Sequence, residues 1–244
     1  MVPKRQTLEV WGDLACFTRP EMKVERFSYP VITPSAARAI FDAIYRKPKF
    51  RWQVTAIEVL EPPRYIALRR NEVKDRVPGA DTITQWAMDK TEPEPLWADG
   101  DKAMLGTDQK GRTQRQTMAL KNVKYRLHAE IKPWLEYRSE LPGMEAQFRR
   151  RAAAGQCIYQ PYFGCREFPA YFDMCDADIE GSNAMQDTHI GWMLYDVFDL
   201  SAPGASDSKP SISLFNANIK HGVLRVPDYN SPEVRKPSWR STDD

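Results

Sequence analysis

Apolar and polar residues alternate in short runs along much of this chain, and two segments switch to helical spacing. Leu8 and Val10 alternate with Thr7 and Glu9, which predicts a half-buried strand entering a loop at Gly12. Thr33 is a suitable cap for a helix opened by Pro34. Ala37, Ile40, Phe41, Ile44 and Tyr45 then form one apolar stripe to lay on a sheet, and Pro48 stops the helix. Residues 51–60 read as a strand with a phase slip between Ala56 and Ile57, followed by a short strand from Tyr65 to Leu68. The clearest alternation runs from Val123 to Ile131. Val123, Tyr125, Leu127, Ala129 and Ile131 point one way, and Lys124, Arg126, His128 and Glu130 the other. The second face of such a sheet is solvated or holds a ligand. Met144 to Ala154 reads as a second helix, ended by Gly155 and carrying Arg149, Arg150 and Arg151 where cations suit the helix dipole. Strands are predicted at Cys165 to Phe172, Ile190 to Phe198 and Ile212 to Val226, the last broken by a turn near His221-Gly222.

This order predicts an α+β fold: a ferredoxin-like, RNA-recognition-like domain over residues 1–155, then a smaller β-rich extension over 156–226. Residues 71–112 are polar, rich in Pro, Gly and Asp, and show no period, so they read as a long insertion inside the first domain. The tail over 227–244 is Pro-containing and expected to be loosely held.

Composition narrows the class without naming a function. A chain of 244 residues with 42% hydrophobic and 28% charged residues is expected to be globular. It has no apolar run of spanning length and no secretory pattern before Trp11, so a cytoplasmic protein without a membrane partner is expected. The cysteines at 16, 157, 165 and 175 form no C-x-x-C pair, and the only histidines are His128, His189 and His221. Free thiols are expected, with neither a metal site nor a cofactor. A net charge of +2 is too small to imply a nucleic-acid partner, so that case rests on where the charges lie.

They lie in three places. From Gln109 to Arg126 the chain carries Lys110, Arg112, Arg115, Lys121, Lys124 and Arg126 with no acidic residue between them. A solvated face is the ordinary meaning of such a run, but here it leads into the alternating strand, where cations can track phosphates along one side of a sheet. The loop FTRPEMKVERFSYP, residues 17–30, sets Arg19, Lys23 and Arg26 among Phe17, Phe27 and Tyr29, and PSAARAIFDAIYRKP, residues 34–48, adds Arg38, Arg46 and Lys47. The third is RRRAAAGQCIYQPYFGCREFPA, residues 149–170. Cations beside aromatics suit phosphate binding and base stacking.

The last two segments together resemble the type I-C CRISPR-associated RNA-processing subunits, which belong to the fifth Cas family of the repeat-associated RNA-binding superfamily. The resemblance spans most of residues 7–226. It implies a subunit that binds the repeat-derived 5′ handle of guide RNA, beside the backbone and large subunits of an interference complex, and meets target DNA through that complex. It also makes Arg150, Tyr159, Tyr162, Phe163 and Arg166 candidates for RNA contact, joining Arg115, Lys124, Arg126 and the cations of the first two segments.

Members of that family that mature guide RNA cut the repeat by metal-independent attack of a 2′-hydroxyl on the adjacent phosphate. The step needs a proton acceptor, an acid for the leaving oxygen and a cation for the phosphorane charge. Tyr45 in AIYRKP matches the family's tyrosine, with Arg46 and Lys47 as neighbouring cations. Tyr45 also extends the apolar stripe of its helix, and a ring in the last turn can pack while its hydroxyl stays free. The family's Lys-His pair falls at Gly143 and Met144, which can neither transfer a proton nor hold charge. Three accounts follow. His128 or another basic residue substitutes, the cut is made differently, or the chain is a silent handle-binding cap.

Overall fold

Leu8, Val10 and Ala15 are the inward side chains of a first strand, β1 (Arg5–Ala15), and all three are fully buried. The strand runs through Gly12 instead of turning there, which corrects the predicted loop. A Cβ at Gly12 would lie 2.7 Å from the Pro169 carbonyl oxygen and 2.9 Å from the Phe163 ring, so glycine lets a second segment press against the strand. These observations come from a computed structural model that describes residues 2–22, 24–93, 96–97, 99–100, 102–107, 109–203 and 210–237.

A short strand β2 (Arg26–Phe27) precedes α1 (Pro34–Ile44). The Thr33 hydroxyl accepts from the Ala36 N–H at 3.2 Å, and Pro34 fills the first turn, where no donor is needed. Ala37, Ile40, Phe41 and Ile44 are buried, as the stripe requires. The helix ends at Ile44, short of the predicted stop at Pro48, and Tyr45 is extended (φ −150°, ψ 111°) instead of lying in the last turn. Next come β3 (Phe50–Val59), β4 (Arg64–Val73), α2 (Ala80–Ala87), α3 (Lys102–Leu105) and β5 (Arg112–Pro133). The irregularity in β3 lies between Val54 and Ala56, earlier than the predicted slip. A 3-10 helix (Leu135–Glu140) leads into α4 (Leu141–Ala153), whose end is closed by Gly155 at φ 63°. The chain finishes with β6 (Tyr171–Cys175), β7 (Thr188–Asp196), β8 (Ser213–Lys220), β9 (Val223–Arg225) and β10 (Val234–Arg235).

The strands form one large sheet in the order β10-β8-β9-β3-β5-β1-β6, with β7 on β8 and with β2 and β4 on β5. Every registered pair is antiparallel. Mixed α/β structure with a large antiparallel sheet and few helices is therefore the observed class. α1 and α4 cover one face. Trp52 of β3 meets Phe41 of α1 at 4.9 Å and Phe148 of α4 at 4.7 Å, and all three are buried. The register aligns Glu9, Arg126, Glu58 and Val223 across the opposite face, which is largely polar. Glu180 and Gly181 cross it, donating their backbone N–H groups to Glu58 Oε2 at 3.3 and 3.0 Å.

The chain divides into two compact units, Met1–Ile66 with Met118–Asp244, and Ala67–Thr117. No unit boundary falls at residue 155, because β6 to β10 share the sheet of β1, β3 and β5. Ala67–Thr117 holds α2, α3 and the outer parts of β4 and β5. Within it, Lys74 N–H donates to the Gly111 carbonyl at 2.8 Å, and Arg112 pairs with Asp99 at 3.0 Å. Among the described residues of this unit, no large apolar side chain is buried.

Candidate nucleic-acid interface

Where α1 stops, the chain turns Tyr45 over the end of the sheet. The Tyr45 ring stacks on Phe50 at 5.3 Å, and its carbonyl accepts from Trp52 Nε1 at 2.9 Å. The residue is 8% exposed and lines a recess of about 620 Å³ with Lys47, Ser139, Glu140, Gly143, Met144 and Gln147. The helix end and the start of α4 thus meet in one hollow. A Cβ on Gly143 would meet nothing within 4 Å, whereas Met144 is buried. Lys49 closes one side, its Nζ 2.9 and 2.8 Å from the two Glu140 oxygens and 5.0 Å from the Tyr137 ring centre. Its hydrogen bonds to Glu140 raise the Lys49 pKa. Burial pushes the Tyr45 hydroxyl up, the Glu140 charge adds to this, and Lys49 and Arg151 oppose it. Tyr45 is accordingly neutral near pH 7. Lys47 is exposed and makes no ion pair among the described residues.

The second family segment docks on the same helix end. Ile158 N–H donates to the Ala43 carbonyl at 2.6 Å, and Arg151 Nε donates to the Ile44 carbonyl at 2.7 Å. Arg151 thereby satisfies a carbonyl at the C-terminus of α1. Tyr159 is 44% exposed, and its hydroxyl is raised by burial and by the Asp42 charge, with Arg46 and Arg38 acting against them. Tyr162 is half-buried, while Arg46, Arg150 and Arg166 are exposed. Phe163 is fully buried, with its ring 6.1 Å from both Phe17 and Tyr125, so it is a core side chain and not a stacking platform.

Other candidates serve the fold. His128 is fully buried: Thr7 Oγ1 lies 3.0 Å from Nδ1, and Glu58 Oε1 2.6 Å from Nε2. The expectation that it substitutes for the missing pair is corrected on that geometry, because both ring nitrogens are occupied inside the sheet. Burial lowers its pKa, against the opposing hydrogen bond to Glu58. Arg38 is likewise committed, to Asp196 at 2.7 Å and Asp42 at 2.5 Å. Although burial disfavours its charge, Asp196 and Asp42 hold it above its ordinary value, and RNA contact by its guanidinium is corrected to internal pairing.

The remaining cations lie elsewhere. Arg19 sits 4.5 Å from the Tyr29 ring centre and 3.7 Å from Glu21. Arg26 reaches Cys165 Sγ at 3.4 Å and Glu167 at 3.9 Å. Lys124 pairs with Glu9 at 2.5 Å, and Arg126 lies 3.6 Å from Glu58. Arg115 is half-buried in the Ala67–Thr117 unit, and Lys23 lies outside the described residues. Sequence reasoning missed Glu140. Its partner Lys49 is 91 positions away, and no local spacing connects them.

The family model described as CRISPR-associated protein (Cas_Cas5) matches residues 7–227. The chain belongs to the Cas5d family. Two curated relatives carry the description CRISPR pre-crRNA endoribonuclease Cas5d. That of Mannheimia succiniciproducens is 36% identical over 239 residues, covering 95% of this chain and 99% of the relative. That of Thermus thermophilus is 37% identical over 235 residues, covering 91% of each. A solved structure described as a CRISPR-associated protein shares the fold at a TM-score of 0.60 and 18% identity, covering 96% of this chain and 98% of that one. A functionally uncharacterized protein of Streptococcus mutans does so at 0.57 and 17%, covering 95% and 97%. Among the described residues, no helix is long and apolar enough to cross a membrane, and no group of acidic, histidine and cysteine side chains is arranged to hold a metal ion.

Proposed function

We propose that this chain binds the repeat-derived 5′ handle of guide RNA in a type I-C interference complex and cuts precursor CRISPR RNA beside Tyr45. Membership of a family whose relatives are described as pre-crRNA endoribonucleases supports the reaction class. The observation that carries the site is the recess in which Tyr45, Lys47 and Glu140 come together. Tyr45 is neutral, so it donates a hydrogen bond and orients the scissile phosphate instead of taking a proton. Lys47 meets the charge that develops on the phosphorane. The Glu140 carboxylate takes the 2′-hydroxyl proton, the 2′ oxygen bonds to phosphorus, and the bond to the 5′ oxygen breaks. The Lys49 ammonium protonates that leaving oxygen. The products are a cyclic phosphate and a 5′-hydroxyl end, and solvent restores both protonation states. Arg46, Arg150, Tyr159 and Tyr162 are assigned as RNA contacts near this position, and Arg166 as one toward the Cys16 end of the sheet. Arg19, Arg26, Arg115, Lys124 and Arg126 are assigned to phosphates farther along the RNA.

In this reading the sheet with α1 and α4 is a ferredoxin-like core, the protein works in the cytoplasm, and its neighbours are the backbone and large subunits. It meets target DNA only through the assembly. Gly143 and Met144 in place of a Lys-His pair favour one second reading, a silent handle-binding cap. A repeat-containing transcript incubated in EDTA separates the two. Cleavage to a cyclic-phosphate end is expected, with Tyr45→Phe and Glu140→Gln each slowing it about a hundredfold at nearly unchanged affinity. An intact transcript bound tightly by the unaltered protein would assign the cap instead.

A further inference from the structure

On β8 every second residue faces outward: Asn216, Asn218 and Lys220 are exposed, while Phe215, Ala217 and Ile219 are buried between them. The register places Trp192 and His189 of β7 opposite Asn216 and Asn218 on the same face. Arg225 of β9 continues the row toward the centre of the sheet. This is the face opposite α1 and α4, so it is separate from the Tyr45 recess. It is also concave. Asn216, Asn218, Lys220 and Arg225 line a hollow of about 710 Å³ whose wall is Ile179, Glu180 and Gly181.

The polar groups of this hollow are short of partners. Lys220 and Arg225 make no ion pair among the described residues, whereas Lys124 and Lys132 on the same sheet are held by Glu9 and Glu130. The only carboxylate on the wall is Glu180, so the cations outnumber the anions. Asn218 Oδ1 lies 2.6 Å from His189 Nδ1, which leaves its amide NH₂ free, and Asn216 has no side-chain hydrogen bond among the described residues. At the outer end, Trp192 is 45% exposed, with the Arg235 guanidinium 4.1 Å from its ring centre.

We propose that the outer face of β7, β8 and β9 is a second nucleic-acid site, which holds an unpaired stretch of RNA. Amides at alternate positions of a strand offer donors and acceptors to base edges, the indole offers a stacking surface, and the unpaired cations take phosphates. A protein occupant would call for an apolar centre, whereas the outward row at the hollow is Asn216, Asn218, Lys220 and Arg225. Double-stranded RNA is a poorer fit, because its base edges are withdrawn into a deep groove. The site does not rest on Tyr45 chemistry, so a chain that never cuts RNA can still carry it.

Fluorescence anisotropy of the full chain with a short, labelled, unstructured RNA lacking the repeat tests this. The Lys220→Glu/Arg225→Glu variant is expected to bind about tenfold more weakly, with the slope of log affinity against log salt reduced by roughly 1.4. Lys4→Glu/Lys132→Glu carries the same change in net charge elsewhere and is expected to lose much less. Asn216→Ala/Asn218→Ala is expected to weaken binding with the salt slope unchanged. If the charge-reversal pair melts early, Lys220→Gln/Arg225→Gln takes its place, with the same expected direction. Equal losses in the Lys4 and Lys220 variants, or no loss in either, would overturn the site. Binding of the matching DNA oligomer but not the RNA would overturn the RNA assignment. Unchanged RNA binding with loss of a co-purifying subunit would give the face to protein instead.

Discussion

Glu58 is fully buried, with His128 Nε2 2.6 Å from one oxygen and two backbone N–H groups on the other. It therefore ties the Glu180–Gly181 crossing to the middle of the sheet, and His128 completes the arrangement. Removing the ring leaves a buried carboxylate short of a donor beside a new cavity, so His128→Ala should lower stability by about 3 kcal/mol. Denaturant melts would measure that, and the cleavage rate per folded molecule should hold. Acid should act through the same residue. Because the folded pKa of His128 is depressed, its contribution is fully present above about pH 6.5 and is lost as pH falls through the lower folded value. A wild-type stability curve that bends downward below about pH 6.5, while His128→Ala lacks that added bend, is the expected result. Parallel curves would show that the acid response does not pass through His128.

At the scale of elements, the GQCIYQPYFGCREFP segment is held by backbone as much as by side chains. Gly164 has φ 81°, and a Cβ there would come within 2.1 Å of the Cys16 carbonyl oxygen. Cys16 N–H donates to the Phe163 carbonyl at 3.0 Å in the same contact. Gly164→Ala combines left-handed strain with a clash against backbone, so it should destabilise by at least about 2 kcal/mol and weaken repeat binding more than Tyr45→Phe does. Parallel melting and binding titrations check both parts. The same contact explains an error in reading the sequence. REFPAYF looks like a strand, yet β6 starts only at Tyr171: Phe168 N–H turns back to the Cys165 carbonyl at 2.9 Å, and Pro169 bridges only to Tyr162. Where side-chain pattern alone decides the outcome, reading succeeded: Thr33-Pro34 opened α1, and alternation from Val123 to Ile131 marked the middle of β5. The Arg112–Asn122 half of β5 has a weaker alternation and becomes a strand through pairing with β4, β2 and β1, which no local window contains. Tyr45 and Lys47 were legible because they sit in one motif. Glu140 was not, because only the packing of α4 beside α1 brings it to them.

For the whole molecule, the contrast between the two units matters most. The larger one is built on buried aromatics such as Trp52, Phe41 and Phe148, whereas Val77, Ile83, Trp97 and Met104 of Ala67–Thr117 are all exposed. A unit with so little apolar burial opens at small free-energy expense. Limited proteolysis of the free protein should therefore cut first within Ala67–Thr117 and leave the rest intact, and guide RNA should slow that cutting. Equal cutting with and without RNA would make the unit a spacer. The route of the chain has a further consequence. It leaves along β4 and returns along β5, and these are paired strands of one sheet. The excursion closes on itself like the loop of a hairpin, and each doubling of such a loop adds only about 0.6 kcal/mol of closure entropy. It is a replaceable cassette: length and composition can drift there, or be exchanged by design for a tight turn, while the aromatic core under α1 and α4 registers almost nothing.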